Sequence, residues 1–453
     1  MKQLSLHLTV CGTILALLMT ACLSLSPTSP PPAPTPTRVP KPTTVIETRL
    51  TAAERRAIFD TVWQTINDEY FDPTFGGLDW QAIGDEYRQR LATVQDDDTF
   101  WRQVLNPMLW ELGVSHLVAL PPELATMIDR MTFATGSLGM DVRLLDGMAV
   151  VTQVVEVSPA DEAGLRPGFV ITSVDGWTLE DIAAASSQTP PDNERHRRGI
   201  AIQGLRDLLY GDTGTEVVVE YLDANDRPQR AILQFAPRRD SACAQFDPSL
   251  PPACAEIEVR RLVNDIGYLR FSGFLNAVLD GVLQAINDLH DTPALIIDLR
   301  GNPGGLYFVR KAIASQLVGT PEVFIRYQYR DGLEEAYLDP VTDAYPGEVV
   351  ILVDEHSASS SEEFAGSLQA LGRATIVGSQ TPGRCLVANI VPLQNGTILV
   401  YPFAQTQTPD GRVLENNGVV PDIEVALDRN LLLQGIDTQL EAAIEYVAEQ
   451  MRK

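Results

Sequence analysis

Two apolar runs, each followed by a turn and a helical pattern, restrict this chain more than any other feature in it. Leu295-Ile296-Ile297-Asp298-Leu299 and Val349-Val350-Ile351-Leu352-Val353 are short and almost wholly apolar, as strands buried on both faces are. A strand covered on both faces needs helices on either side of its sheet, and residues 309–318 and 362–371 supply helical patterns. Residues 374–377 and 398–401 read as further strands, and 441–451 as a terminal helix. The first run leads into Arg300-Gly301-Asn302-Pro303-Gly304-Gly305, where paired glycines allow a tight turn with backbone N–H groups facing a cleft. The second leads through Asp354-Glu355-His356 into Ser357-Ala358-Ser359-Ser360-Ser361-Glu362-Glu363. A serine at a strand-to-helix turn is exposed, and the N–H groups after it can hold a developing oxyanion. Taken alone, such serines are a helix cap, with Glu362 and Glu363 as first-turn carboxylates favoured by the helix dipole.

Ahead of this α/β region lie two others. Residues 48–125 are helical in pattern: Thr51 with Glu54 fits a capping box, and Ile58, Val62, Ile66 and Tyr70 keep helical spacing until Asp72-Pro73. Residues 80–91 and 100–112 read as two more helices, a cap too small to carry a large core by itself. Residues 130–238 are short strands and glycine turns. Gly136-Ser137-Leu138-Gly139-Met140 precedes a strand, residues 148–155 are β-rich, Ser158-Pro159-Ala160-Asp161-Glu162-Ala163-Gly164-Leu165 reads as a short helix, and Asp175-Gly176 closes another strand. This order resembles a PDZ domain. The resemblance implies that Ser137, Leu138, Gly139 and Met140 present backbone N–H groups to the terminal carboxylate of a peptide.

The first 22 residues read as a leader: Lys2 supplies the positive charge, residues 8–19 an apolar stretch short of the ~20 needed to span a bilayer. Its end, Leu18-Met19-Thr20-Ala21-Cys22, resembles a lipobox, with Met19 where leucine is more usual, and implies lipidation of Cys22 and a cell-membrane anchor outside the cytoplasm. Residues 23–47 form a proline-rich tether. Export permits disulfides, and within the 239–260 linker Cys243 with Cys254 would close a short loop, leaving Cys385 as a packed residue. Asp+Glu number 60 against Lys+Arg 34, so the surface repels phosphate backbones and nucleic acid is excluded as partner. No His/Asp/Glu cluster has metal-ligand spacing, and no cofactor is implied.

Together these elements resemble the S41 serine peptidases, the carboxyl-terminal processing (tail-specific) proteases and their tricorn-like relatives, over residues 50 to 430. The implied fold is α+β multidomain: helical cap, PDZ-like β domain, and a ClpP/crotonase-like α/β catalytic domain at 261–453. The family's Ser-Ala-Ser-Ala-Ser-Glu stretch falls on residues 357–362, which puts the nucleophile at Ser359 and the oxyanion donors at the N–H groups of Gly305 and Ser360. Asn416-Asn417-Gly418-Val419-Val420-Pro421-Asp422 matches the family's C-terminal motif. One departure matters. Arg384 stands where the processing branch has its lysine base, and arginine does not give up its proton, so a Ser-Lys dyad is excluded. The tricorn-like branch takes a histidine from ahead of the PDZ domain and a glutamate from the C-terminal part. That implies His116 as base, with Glu415 orienting it through the Ser115 hydroxyl. Val114 stands where many relatives carry Asp. His356, three residues from Ser359, is the rival base, though neighbours at a sharp turn rarely face each other. Arg384 could pair with a substrate carboxylate or with Glu415.

The expected function is an extracytoplasmic serine endopeptidase acting on unfolded polypeptides that the PDZ region engages. Loss of the lysine keeps a second reading open, a non-catalytic binding protein on the same scaffold, as in the retinoid-binding proteins of the eye. A PDZ scaffold with the α/β domain as ballast is a third.

Overall fold

The computed structural model describes residues 50–121, 133–185, 194–238, 241–244, 252–393 and 396–453; the leader, Cys22 and the tether lie outside them. At its centre is a seven-stranded sheet in the order Ser241–Ala244, Ala253–Arg261, Gly267–Phe271, Ala294–Asp298, Glu348–Val353, Thr375–Gly378, Ile423–Glu424. From Gly267–Phe271 onward the strands run parallel, with helices as crossovers. The two apolar runs are its middle strands. Because side chains alternate in a strand, Leu295, Ile297, Val349, Ile351 and Val353 pack with the helices Asn276–Asp288, Tyr307–Val318 and Ser360–Ala370 on one face. Ala294, Ile296, Val350 and Leu352 pack on the other, against Ala443 and Val447 of the helix Thr438–Gln450.

A second sheet was not expected from the sequence. Val118–Leu120, Ile398–Gln407, Val323–Tyr329 and Gly332–Tyr337 lie side by side, and Leu386–Pro392 pairs along Ile398–Gln407. Its strands alternate polar and apolar residues and are only half-buried, a weaker signal than a continuous apolar run. This sheet completes the helical cap: Ile58, Phe59, Val62, Ile66, Phe100, Leu105 and Met108 share a core with Leu386, Leu399 and Tyr401. The capping box at Thr51 is present. The expected helix over 100–112 starts earlier, at Asp97, widens to a π turn over Phe100–Leu105 and stops at Trp110. Pro107 lacks an N–H to continue an α-helical ladder there, and the wide turn absorbs the break.

The PDZ-like region is an antiparallel sheet, Met140–Leu145, Met148–Val154, Val170–Val174, Glu216–Leu222 and Pro228–Gln234, around its own core. Ser158 caps the short helix Pro159–Glu162. The helix Glu194–Asp207, which the sequence reading passed over, packs near strand Met140–Leu145. A buried ionic cluster joins this region to the central sheet. Asp141 pairs with Arg143 (2.6 Å), Arg206 (3.0 Å) and Arg270 (2.9 Å), Arg143 also pairs with Asp354, and Arg206 donates to the Gly301 carbonyl at 3.0 Å. Cys243 and Cys254 face each other across adjacent strands and are disulfide-bonded; Cys385 is a buried free thiol.

Candidate active site

Strand Glu348–Val353 leads into Asp354, and five residues later the chain enters the helix Ser360–Ala370 through Ser359. Ser359 has φ +54° and ψ −118°, a left-handed backbone that a non-glycine residue adopts only when its surroundings hold it there. The holding bonds are on every side. The Ser359 N–H donates to the Arg384 carbonyl at 2.9 Å and to the Glu362 carboxylate at 3.2 Å, and its carbonyl accepts from the Glu363 N–H at 3.0 Å. Ala358 N–H and Ser361 Oγ both donate to the Asn302 carbonyl, and Ser357 Oγ to that of Leu299, so the serine turn is stitched to the glycine turn. Ser359 itself is half-buried.

The glycine turn follows strand Ala294–Asp298. Asn302, fully buried, donates from its side chain to the Phe271 carbonyl and accepts the Gly304 N–H, both at 2.9 Å. Gly304 lies against the serine turn: a Cβ there would come 2.7 Å from Ser360 N and 2.8 Å from Ser359 Cβ. The Gly304 carbonyl accepts the Phe274 N–H at 2.8 Å. In a planar trans peptide the N–H points opposite to the C=O, so the Gly305 N–H faces away from Phe274. The Ser360 N–H belongs to the first helical turn, where no carbonyl of the same helix can reach it. These are the two expected oxyanion donors.

The third part comes from the two ends of the chain. Glu415 is buried, 4% exposed. Its carboxylate accepts the Ser115 N–H at 2.6 Å, the Ser115 hydroxyl at 2.9 Å and the Cys385 N–H at 2.7 Å. The Ser115 oxygen lies 2.7 Å from His116 Nδ1. A hydroxyl has one proton, and this one goes to Glu415, so Ser115 accepts from Nδ1–H and Nε2 carries the free lone pair. His116 sits in a bend past the helical cap, at φ +55°, half-buried. No hydrogen bond joins its ring to Ser359 among the described residues; the link from Glu415 to the serine turn runs through the Cys385 N–H and the Arg384 carbonyl.

Arg384 puts its charge among these groups. Burial and the Arg384 cation push the His116 imidazole down to about 4, keeping it neutral well below its ordinary range. Burial also lowers Arg384, against the pull of the Glu362 and Glu415 carboxylates, and burial raises Glu415 despite its hydrogen bonds. The guanidinium reaches the PDZ-like region, with Nη2 3.7 Å from where a Cβ on Gly199 would lie.

The two first-turn carboxylates, Glu362 and Glu363, have further partners. Glu362 is fully buried and accepts from Thr381 Oγ1 (2.6 Å), Gly383 N–H (2.7 Å), Arg384 N–H (2.8 Å) and Ser359 N–H. Burial pushes it up to about 7 all the same. It therefore pins the turn carrying Arg384 onto the serine turn. Glu363 forms a buried ion pair with Arg310. His356 is buried, donates its N–H to Asp354 and lies 3.6 Å from Glu355, with burial driving its ring down to about 3.

In the PDZ-like loop, the Leu138 N–H donates to Leu209 and the Gly139 N–H to Ser137 Oγ. Met140 opens the sheet's edge strand. A cavity of about 600 Å³ separates this loop from the wall formed by Glu256, Ile257 and Arg270. Among the described residues no group of three or more His, Cys, Asp or Glu side chains is gathered as metal ligands.

Comparison with known proteins gives this arrangement its context. The model of peptidase family S41 matches residues 265–425, that of the Tricorn protease C1 domain 51–110, and that of the PDZ domain 136–197. A carboxyl-terminal-processing protease of Synechocystis sp. is 28% identical over 385 residues, 82% of this chain and 81% of that protein. The chloroplastic C-terminal processing peptidase of Tetradesmus obliquus is 26% identical over 391 residues, 81% and 76% of the two chains. Among solved structures, a photosystem II D1 C-terminal processing protease covers 85% of this chain and 97% of its own, at TM-score 0.56 and 22% identity. Mature CPAF covers 88% and 96%, at 0.57 and 15%, and at such identities the likeness is one of fold. The chain thus carries a peptidase family S41 domain behind Tricorn C1 and PDZ domains, and over four-fifths of its length it is similar to carboxyl-terminal processing proteases.

Proposed function

We propose that the protein is a serine endopeptidase held outside the cytoplasm by a lipid on Cys22, and that it hydrolyses extended polypeptides with Ser359 as nucleophile and His116 as base. The observation that carries this reading is the relay Glu415–Ser115–His116, which leaves the Nε2 lone pair free, while the same Glu415 is joined to the serine turn through the Cys385–Arg384 peptide. In the reaction Ser359 Oγ attacks the scissile carbonyl carbon and His116 Nε2 takes its proton. The oxygen that gains charge lies between the N–H groups of Gly305 and Ser360. The tetrahedral intermediate expels the amine, which receives the proton from His116, and water then cleaves the acyl ester by the same steps. The ring closes on the hydroxyl as substrate binds, since catalytic hydrogen bonds often form only in the Michaelis complex. The Leu138 and Gly139 N–H groups are already bonded within the fold, contrary to the expected carboxylate cradle; the polypeptide instead lies in the cavity that Ser137, Gly139 and Met140 line, and Arg384 serves electrostatics in place of a base.

The test is labelling of the 44–453 fragment with a fluorophosphonate, alongside cleavage of an unfolded protein. The wild type takes the label on Ser359; Ser359→Ala abolishes label and cleavage, and His116→Ala lowers both at least a hundredfold. A wild type that neither labels nor cleaves overturns the reading in favour of a binding protein.

A further inference from the structure

Ser360 stands where the family stretch has alanine, and its side chain, not only its N–H, meets the glycine turn. The hydroxyl donates to the Gly305 carbonyl at 2.8 Å, and Ser360 is 2% exposed. On the far side of the oxygen lies Arg310 Nη1 at 3.5 Å, a cation that disfavours the hydroxyl proton in that direction and leaves it aimed at Gly305. Arg310 is itself fixed by Glu363 and by the Tyr327 hydroxyl at 2.8 Å, and it is 3% exposed.

The consequence follows from peptide planarity. The 304–305 peptide is held at its carbonyl by the Phe274 N–H. The next one, 305–306, is gripped at both ends: its N–H, from Leu306, donates to the Phe274 carbonyl at 2.7 Å, and its C=O accepts from Ser360. Gly305 at φ +140° could rotate more freely than any other residue, and a rotation there would turn its N–H away from the serine. Without Ser360 Oγ, every bond on this pair of peptides comes from one side, from Phe274. With it, the helix that supplies one oxyanion donor is tied directly to the peptide beside the other.

We infer that the Ser360 side chain is a positioning residue that locks the Gly305 N–H into the oxyanion site and sets its distance from the Ser360 N–H. This deepens the peptidase reading and rests on it for its kinetic consequence, while the clamp itself is a property of the fold. The experiment compares wild type, Ser360→Ala and Ser360→Thr by hydrogen exchange of the amides in 302–306, read by mass spectrometry, and by kcat and KM on one peptide. Ser360→Ala should exchange at least fivefold faster in that segment and lose about tenfold in kcat at unchanged KM, a net effect of the size one neutral hydrogen bond has. Ser360→Thr, which keeps the oxygen, should restore both. Exchange unchanged in Ser360→Ala overturns the clamp whatever the activity, and faster exchange with kcat unchanged overturns its role in the reaction. Faster exchange in a protein whose wild type has no activity upholds the clamp and sinks the peptidase reading instead.

Discussion

Arginine at position 384 closes one route to catalysis and tunes another. It cannot accept a proton, but its cation lies close enough to His116 to help keep the imidazole neutral. On the proposed mechanism only the neutral ring is a base, so activity is present above its pKa and lost as pH falls through it. The acid limb of kcat/KM should thus lie near pH 4, where an ordinary histidine at about 6.5 would place it higher. Arg384→Gln removes the repulsion, so the acid limb should move upward in pH, measurable from pH–rate profiles of the two proteins; an unmoved limb contradicts the arrangement. At this scale the sequence was legible only in part. The serine turn announces itself by its neighbours, but no spacing rule links Ser115 and His116 to Glu415, some 300 residues away, and only the family resemblance suggested them. Glu362 was legible as a first-turn carboxylate, but its partners Thr381, Gly383 and Arg384 were not, because they lie on a separate turn whose approach local sequence does not reveal.

The elements that carry chemistry are the two strand ends, and both were readable because continuous apolar runs are hard to mistake. The second sheet was not. Val323–Tyr329 and Leu386–Pro392 are mostly half-buried and lack a continuous apolar run, and Leu386 and Val391 pack with the helical cap. That sheet matters to function, since Val118–Leu120 pairs with Ile398–Val400 just after His116 and so anchors the bend that carries the ring. The glycine turn is the most demanding element sterically. Gly304 has φ +100°, and its missing side chain is what lets it lie against Ser359 and Ser360. Gly304→Ala should therefore cost at least a hundredfold in acylation by the fluorophosphonate while the circular dichroism spectrum stays that of wild type. Labelling at wild-type rate would show that the turn does not pack so closely in solution.

Across the whole molecule, the PDZ-like region meets the α/β domain through an apolar contact of Val150 and Val170 with Leu432 and, at the central sheet, through an ionic joint. Burial alone would raise the Asp141 carboxyl, but Arg143, Arg206 and Arg270 together hold it well below its usual range. Removing one partner of such a buried cluster leaves charges uncompensated, at a cost of about 3–5 kcal/mol. Asp141→Asn should accordingly lower the urea midpoint of unfolding, with the PDZ-like region released first in limited proteolysis; an unchanged midpoint would contradict the buried cluster. The domain order was legible from motif texture. This joint was not, because it depends on which charges face each other once both regions have folded.

The relay that readies the imidazole is assembled from segments that a ribosome makes far apart in time. Ser115 and His116 emerge early, and the carboxylate that orients them follows only 300 residues later. If the proposed chemistry is right, an unfinished or prematurely terminated polypeptide is inert by construction, and a cell making this hydrolase is spared digestion by its own half-built copies.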